Sequence, residues 1–169
     1  DGVRLHNTRI DTVGGDLSIF GRTADNTQAS DSSGAGVRIT GAATDLSTDS
    51  GQLSVRGQVL NQTDSGNKDA IVIGEGVSGQ VTLTSTSGNI LIDGDASAVG
   101  DSVTGGNRYI GVLMANSALV QSGSGDILVQ GQGGGGNVNS VEQNHGIRLQ
   151  DNNTSILSAS GDILLQGTS

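Results

Sequence analysis

The chain has 169 residues, the length of one ordinary domain, with 29 glycines, no proline, cysteine or tryptophan, one Phe and one Tyr. Its 17 acids against 8 bases give a net charge of −9, which leaves no basic face to release counterions from a nucleic acid and disfavours an anionic membrane surface. The absence of cysteine removes disulfide and thiolate–metal chemistry, and no apolar run reaches the ~18–20 residues needed for membrane insertion by this segment.

The first element is Gly2-Val3-Arg4-Leu5, with apolar residues two apart. Ile10 marks a second short segment, and Gly15-Asp16-Leu17-Ser18-Ile19-Phe20-Gly21 is a third. A polar excursion over Arg22–Ala35 follows, and the order begins again at Gly36-Val37-Arg38-Ile39, Leu46 and Gly51-Gln52-Leu53-Ser54-Val55-Arg56-Gly57. After Gln58–Asp69 come Ala70-Ile71-Val72-Ile73, Leu83 and Gly88-Asn89-Ile90-Leu91-Ile92-Asp93-Gly94. After Asp95–Ile110 come Gly111-Val112-Leu113-Met114, Val120 and Gly125-Asp126-Ile127-Leu128-Val129-Gln130-Gly131. The last pass, beyond Gln132–His145, is Gly146-Ile147-Arg148-Leu149, Ile156 and Gly161-Asp162-Ile163-Leu164-Leu165-Gln166-Gly167. The leading glycines of the third segment are 36, 37, 37 and 36 residues apart, a period that decides for a repeat and against disorder.

Period-two alternation is a strand signal, because alternate side chains share a face. Three short strands per ~36 residues could form propeller blades, but blades carry four strands and aromatic motifs that are missing here. Stacked as a coil, the same positions give continuous interior columns: Val3, Val37, Ile71, Val112, Ile147; Leu17, Leu53, Ile90, Ile127, Ile163; and Ile19, Val55, Ile92, Val129, Leu165. Such columns fill a thin interior without aromatic rings, which suits a composition 33% hydrophobic and 1% aromatic. The expected fold is an all-β, single-stranded parallel β-helix (β-solenoid), right-handed by the general preference of parallel crossovers. Its five rungs cover 1–35, 36–69, 70–110, 111–145 and 146–169 within one segment, and the four excursions should line one edge.

The Gly-Asp-Ile-Leu-Val-Gln-Gly unit, preceded by Ser-Gly and an apolar–polar strand, resembles the repeats of large bacterial exoproteins. These are the filamentous-haemagglutinin-like and autotransporter-passenger-like proteins, of cyanobacterial or proteobacterial type, and the resemblance runs through all five repeats. It implies secretion to the cell surface and a role in adhesion, aggregation or an extracellular filament. It supplies no catalytic residue.

Candidate chemistry is sparse. The column Asp16, Gln52, Asn89, Asp126, Asp162 could hold cations, or could satisfy backbone groups at turns as Asx side chains do. Asp93 and Asp95, with Asp101 nearby, could touch Ca²⁺, although the nonapeptide calcium-roll pattern is absent. Asp93, Asp95, Asp126 and Asp162 are thus the candidate metal ligands, and Ca²⁺ the candidate cofactor. His6 and His145 fall at different phases of the repeat. Gly133–Gly136 lacks the Lys-Ser/Thr of a phosphate cradle and reads as a flexible loop, and the sequons at Asn61 and Asn152 carry little meaning in a bacterial protein.

The expected function is non-catalytic: a rigid stalk or fibre segment of a secreted, extracellular cell-surface protein. A carbohydrate- or receptor-binding adhesin module that recognises surface glycans is the alternative. A polysaccharide lyase or glycosidase is the third reading, and here the outward arginines Arg4, Arg38 and Arg148 are interrupted by Val72 and Leu113. Two contacts are expected. The terminal copies Gly2–Leu5 and Asp162–Gly167 match interior ones, so the array should continue or meet copies of itself end to end. Outward Leu91, Leu128 and Leu164 form an apolar stripe, covered either by excursion residues Val99, Val103 and Val138 or laterally by a neighbouring molecule.

Overall fold

The structure, a computed structural model, describes residues 1–23, 34–60, 67–76, 79–98, 108–135 and 143–169. Each repeat contributes three strands in turn: β1 (Val3–His6), β2 (Arg9–Thr12) and β3 (Leu17–Arg22), then β4 (Gly34–Thr40), β5 (Asp45–Thr48) and β6 (Leu53–Gln58). Next are β7 (Lys68–Ile73), β8 (Thr82–Ser85), β9 (Ile90–Asp95), β10 (Val112–Met114), β11 (Leu119–Ser122), β12 (Ile127–Gln132), β13 (Ile147–Leu149), β14 (Ser155–Ser158) and β15 (Ile163–Thr168). Within the sheets every strand pairs in parallel with its own counterpart one repeat away. The result is three five-stranded sheets, ordered β1-β4-β7-β10-β13, β2-β5-β8-β11-β14 and β3-β6-β9-β12-β15. The chain is a parallel β-solenoid, and the propeller is excluded because strands adjacent in sequence lie in different sheets.

The interior columns stack as the periodicity predicts. Val3, Val37, Ile71, Val112 and Ile147 are register partners, as are Leu17, Leu53, Ile90, Ile127 and Ile163. Residues of the middle rungs, Ile39, Leu53, Ile73, Ile92 and Val129 among them, are fully buried in one continuous core. Each such side chain contributes about 1.5–3 kcal/mol by leaving water. The second sheet puts one apolar column inside, Ile10-Leu46-Leu83-Val120-Ile156, and beside it the hydroxyl column Thr12-Thr48-Ser85-Ser122-Ser158. That is why its sequence shows only a lone hydrophobic residue per repeat.

Four members of the hydroxyl column hold the corner into the third sheet, while the Ser85 hydroxyl is buried without a hydrogen-bond partner among the described residues. Thr12 and Thr48 donate through Oγ1 to the carbonyls of Gly15 and Gly51, at 2.7 and 2.9 Å. Ser122 and Ser158 donate to the carbonyls of Gly88 and Gly125, one rung below their own leading glycines, each at 3.4 Å. The corner is too tight for a side chain at the glycine: a Cβ on Gly88 would lie 1.9 Å from the Gly51 carbonyl oxygen. The trailing glycines meet the same limit at the next corner, where a Cβ on Gly94 would lie 2.0 Å from the oxygen of Gly111. At the corner between the first two sheets the chain turns through positive φ at Asn7, Gly41, Gly74, Asn116 and Asp151, residue types that tolerate the left-handed region.

Three expectations are modified. The excursions are shorter than the repeat pattern implies, because β3, β6, β9 and β12 run on to Arg22, Gln58, Asp95 and Gln132 and β4 and β7 begin at Gly34 and Lys68. Their ends stay in step, with N–H of Thr23, Val59 and Ala96 donating to the carbonyls of Gln58, Asp95 and Gln132 on departure. On return, Gly34 and Lys68 donate to Asn67 and Arg108, so the excursions leave and re-enter along one edge. Ser54 alternates outward yet is buried, its short side chain standing in one column with the bulkier Leu91. Gly133 and Gly134 are anchored, donating to the carbonyls of Thr168 and Tyr109 at 2.8 and 3.0 Å.

Replacing Ile127 by Asp places a charge in a column with no polar partner and should cost several kcal/mol, roughly 4–5. Ser18→Asp, on the exposed side of β3, should stay within about 0.5 kcal/mol. Denaturant melts of the two variants check the register, and similar losses at both positions would contradict it.

Candidate functional site

The outward positions of the first sheet stack as Arg4-Arg38-Val72-Leu113-Arg148. Val72 and Leu113, which interrupt the outward arginines, are completely buried: with Ala35 and Ile110 they form a second apolar cluster outside the coil. Val59, Ala70, Ala96 and Tyr109 form a third beside it. The described ends of the excursions thus fold back over this edge of the solenoid and keep it dry.

A line of alternating charges crosses the same edge. Arg108 donates through Nε and Nη2 to both carboxylate oxygens of Asp69, the shortest contact 2.6 Å, and through Nη1 and Nη2 to Glu75. Glu75 also accepts from Arg38 at 3.4 Å, and Arg38 reaches the Asp1 carboxylate at 3.2 Å. Asp1 and Asp69 each accept a backbone N–H as well, from Ala35 and Ile110 at 2.9 and 3.2 Å. Asp69 is almost completely buried, its side chain only 1% exposed.

The surroundings split the two carboxyls that share Arg108. Burial pushes Asp69 above its ordinary value, helped by the charge of Glu75 and opposed by Arg108 and the Ile110 N–H. Burial pushes Glu75 upward too, but Arg108 and then Arg38 outweigh it and hold Glu75 below its ordinary value. Burial alone would lower Arg108, and the two carboxylates more than reverse that, fixing its charge. Both carboxylates are engaged by guanidinium groups, so the arrangement works as a clamp between rungs.

Next to the clamp lies a groove of about 380 Å³ lined by Asp1, Arg4, His6, Arg38, Thr40 and Glu75. His6 Nδ1 lies 3.3 Å from Thr40 Oγ1. The groove offers hydrogen-bonding groups of both signs to a polar ligand. A second groove, about 400 Å³, runs over the third sheet along Leu91, Leu128 and Leu164 and is bordered by Asn89, Asp126 and Asp162.

The candidate metal ligands are not gathered together. Asp126 and Asp162 stand in the turn column, where Asp16, Asn89 and Asp126 each accept the backbone N–H of the next rung, at 2.8, 2.9 and 2.9 Å. The column therefore forms a side-chain ladder between rungs. Asp93 lies in the interior of β9, in register with Arg56 and Gln130. Asp95 accepts the N–H and hydroxyl of Ser97 and the Gln58 amide. Among the described residues no three His, Asp or Glu side chains are grouped to hold a metal ion. His6 and His145 sit at opposite ends of the coil, and His145 is exposed. Asp101, Val99, Val103, Val138, Gly136 and the Asn61 sequon lie outside the described residues.

Sequence reasoning missed Asp69, Glu75 and Arg108. They belong to segments whose length varies between repeats, so no periodicity marked them, and only Arg38 stood in a readable column. No family model, no curated protein and no solved structure matches the chain.

Removing Arg108 leaves the Asp69 carboxylate buried without its cation, and Arg108→Ala should cost about 3–5 kcal/mol at neutral pH. In the wild type, Glu75, with its pKa lowered, contributes stability that is lost as pH falls through its folded-state value. Asp69, with its pKa raised, contributes in the opposite sense, losing stability as pH rises through its folded-state value. In the variant, protonation removes the uncompensated charges, so the deficit relative to wild type should shrink from neutral pH towards ~pH 4. Paired denaturation curves across this range measure the difference, and a pH-independent deficit would show that the clamp acts by packing alone.

Proposed function

We propose that the chain is a stiff, non-catalytic stalk or fibre segment of a secreted bacterial cell-surface protein or extracellular filament. The observation that carries the proposal is the unbroken register of three parallel sheets through five rungs. A rung in such a coil contacts only its neighbours, so stability and length are added rung by rung. Side chains reinforce this, because the Asp/Asn column and the Arg108 clamp both bond across rungs. Secretion and the bacterial surface rest on the resemblance of the glycine-bounded repeat to exoprotein repeats.

A second reading, a carbohydrate- or receptor-binding adhesin module, is favoured by the polar groove at Arg4, His6, Arg38 and Thr40. Arginine, histidine and hydroxyl groups beside the carboxylates of Asp1 and Glu75 would suit the hydroxyl groups of a glycan. The two readings separate experimentally. Inserting one, two and three further copies of residues 125–160 ahead of Gly161 should lengthen the particle by ~4.8 Å per copy in small-angle scattering, with the β-sheet circular dichroism retained. A glycan array should stay blank. Length that fails to scale with copy number would remove the stalk reading, and glycan binding abolished by Arg38→Ala would replace it with the second.

A further inference from the structure

We draw no further inference here: the strongest candidate, the apolar groove along Leu91, Leu128 and Leu164 on the outer face of the third sheet, carries nothing because nothing in the structure shows what covers it.

Discussion

A strand in this coil has nothing to pair with except its own copy one rung away, and that constraint governs the rest of the structure. Backbone groups that cannot find a neighbour at ~4.8 Å remain open, so each of the three strands must recur at the same depth and in the same register. An inward side chain then meets its homologue above and below, and the column can change size only gradually. Valine on valine on isoleucine satisfies this, as at Val3, Val37 and Ile71. The corners are limited by the same spacing. Where the chain leaves one sheet for the next, the neighbouring carbonyl lies where a Cβ would be, so the bounding glycines recur with the strands.

The outward positions escape this requirement, and the three faces have diverged. The first sheet's outer face is covered in its middle rungs by excursion residues packed on Val72 and Leu113 and clamped by Arg108. The second is polar over its first three rungs, where Ser47 and Thr82 donate to the carboxylates of Asp11 and Asp45 in the preceding rung. The third carries Phe20, Arg22 and Arg56 outward on its first two rungs, Leu91, Asp93 and Asp95 on the middle one, and leucine with Gln and Thr on the last two. A repeat that is nearly invariant inside thus presents three chemically different surfaces outside.

How much of this could be read from sequence depends on whether a residue repeats. Leu17, Leu53, Ile90, Ile127 and Ile163 are legible because each returns 36 or 37 residues on with its flanking glycine. The second sheet was visible only as a lone hydrophobic residue, since its other inward position is Thr12, Thr48 or Ser85, and a hydroxyl gives no hydrophobic signal. Thr12 and Thr48 donate to the glycine three residues later, so a Thr-x-x-Gly spacing repeated in phase marks that corner in the first two rungs. The burial of Val72 and Leu113 was hidden for another reason: alternation says which way a side chain points, not what lies over it. The charged residues that complete the cover, Asp69, Glu75 and Arg108, occur once each, and no pattern within one sequence ties them together.

The Asp and Asn turn column shows why a repeated polar residue is weak grounds for a ligand site in such a coil. Stacked carboxylates repel, and Asp126 and Asp162 stand one rung apart. The repulsion is moderate because both are exposed and screened by water. It is offset where the Asp126 carboxylate accepts the backbone N–H of Asp162, a charge-assisted bond to a donor left free where the chain turns. Asn89 fills the same role toward Asp126 without a charge, so the position selects an acceptor of the right length and not a net charge. Recurrence in a solenoid reports first on what the next rung needs. Chemistry directed at an outside partner is better sought where the columns break their own pattern, as Phe20 and Arg56 do against Asp93 and Leu128 against Ser54.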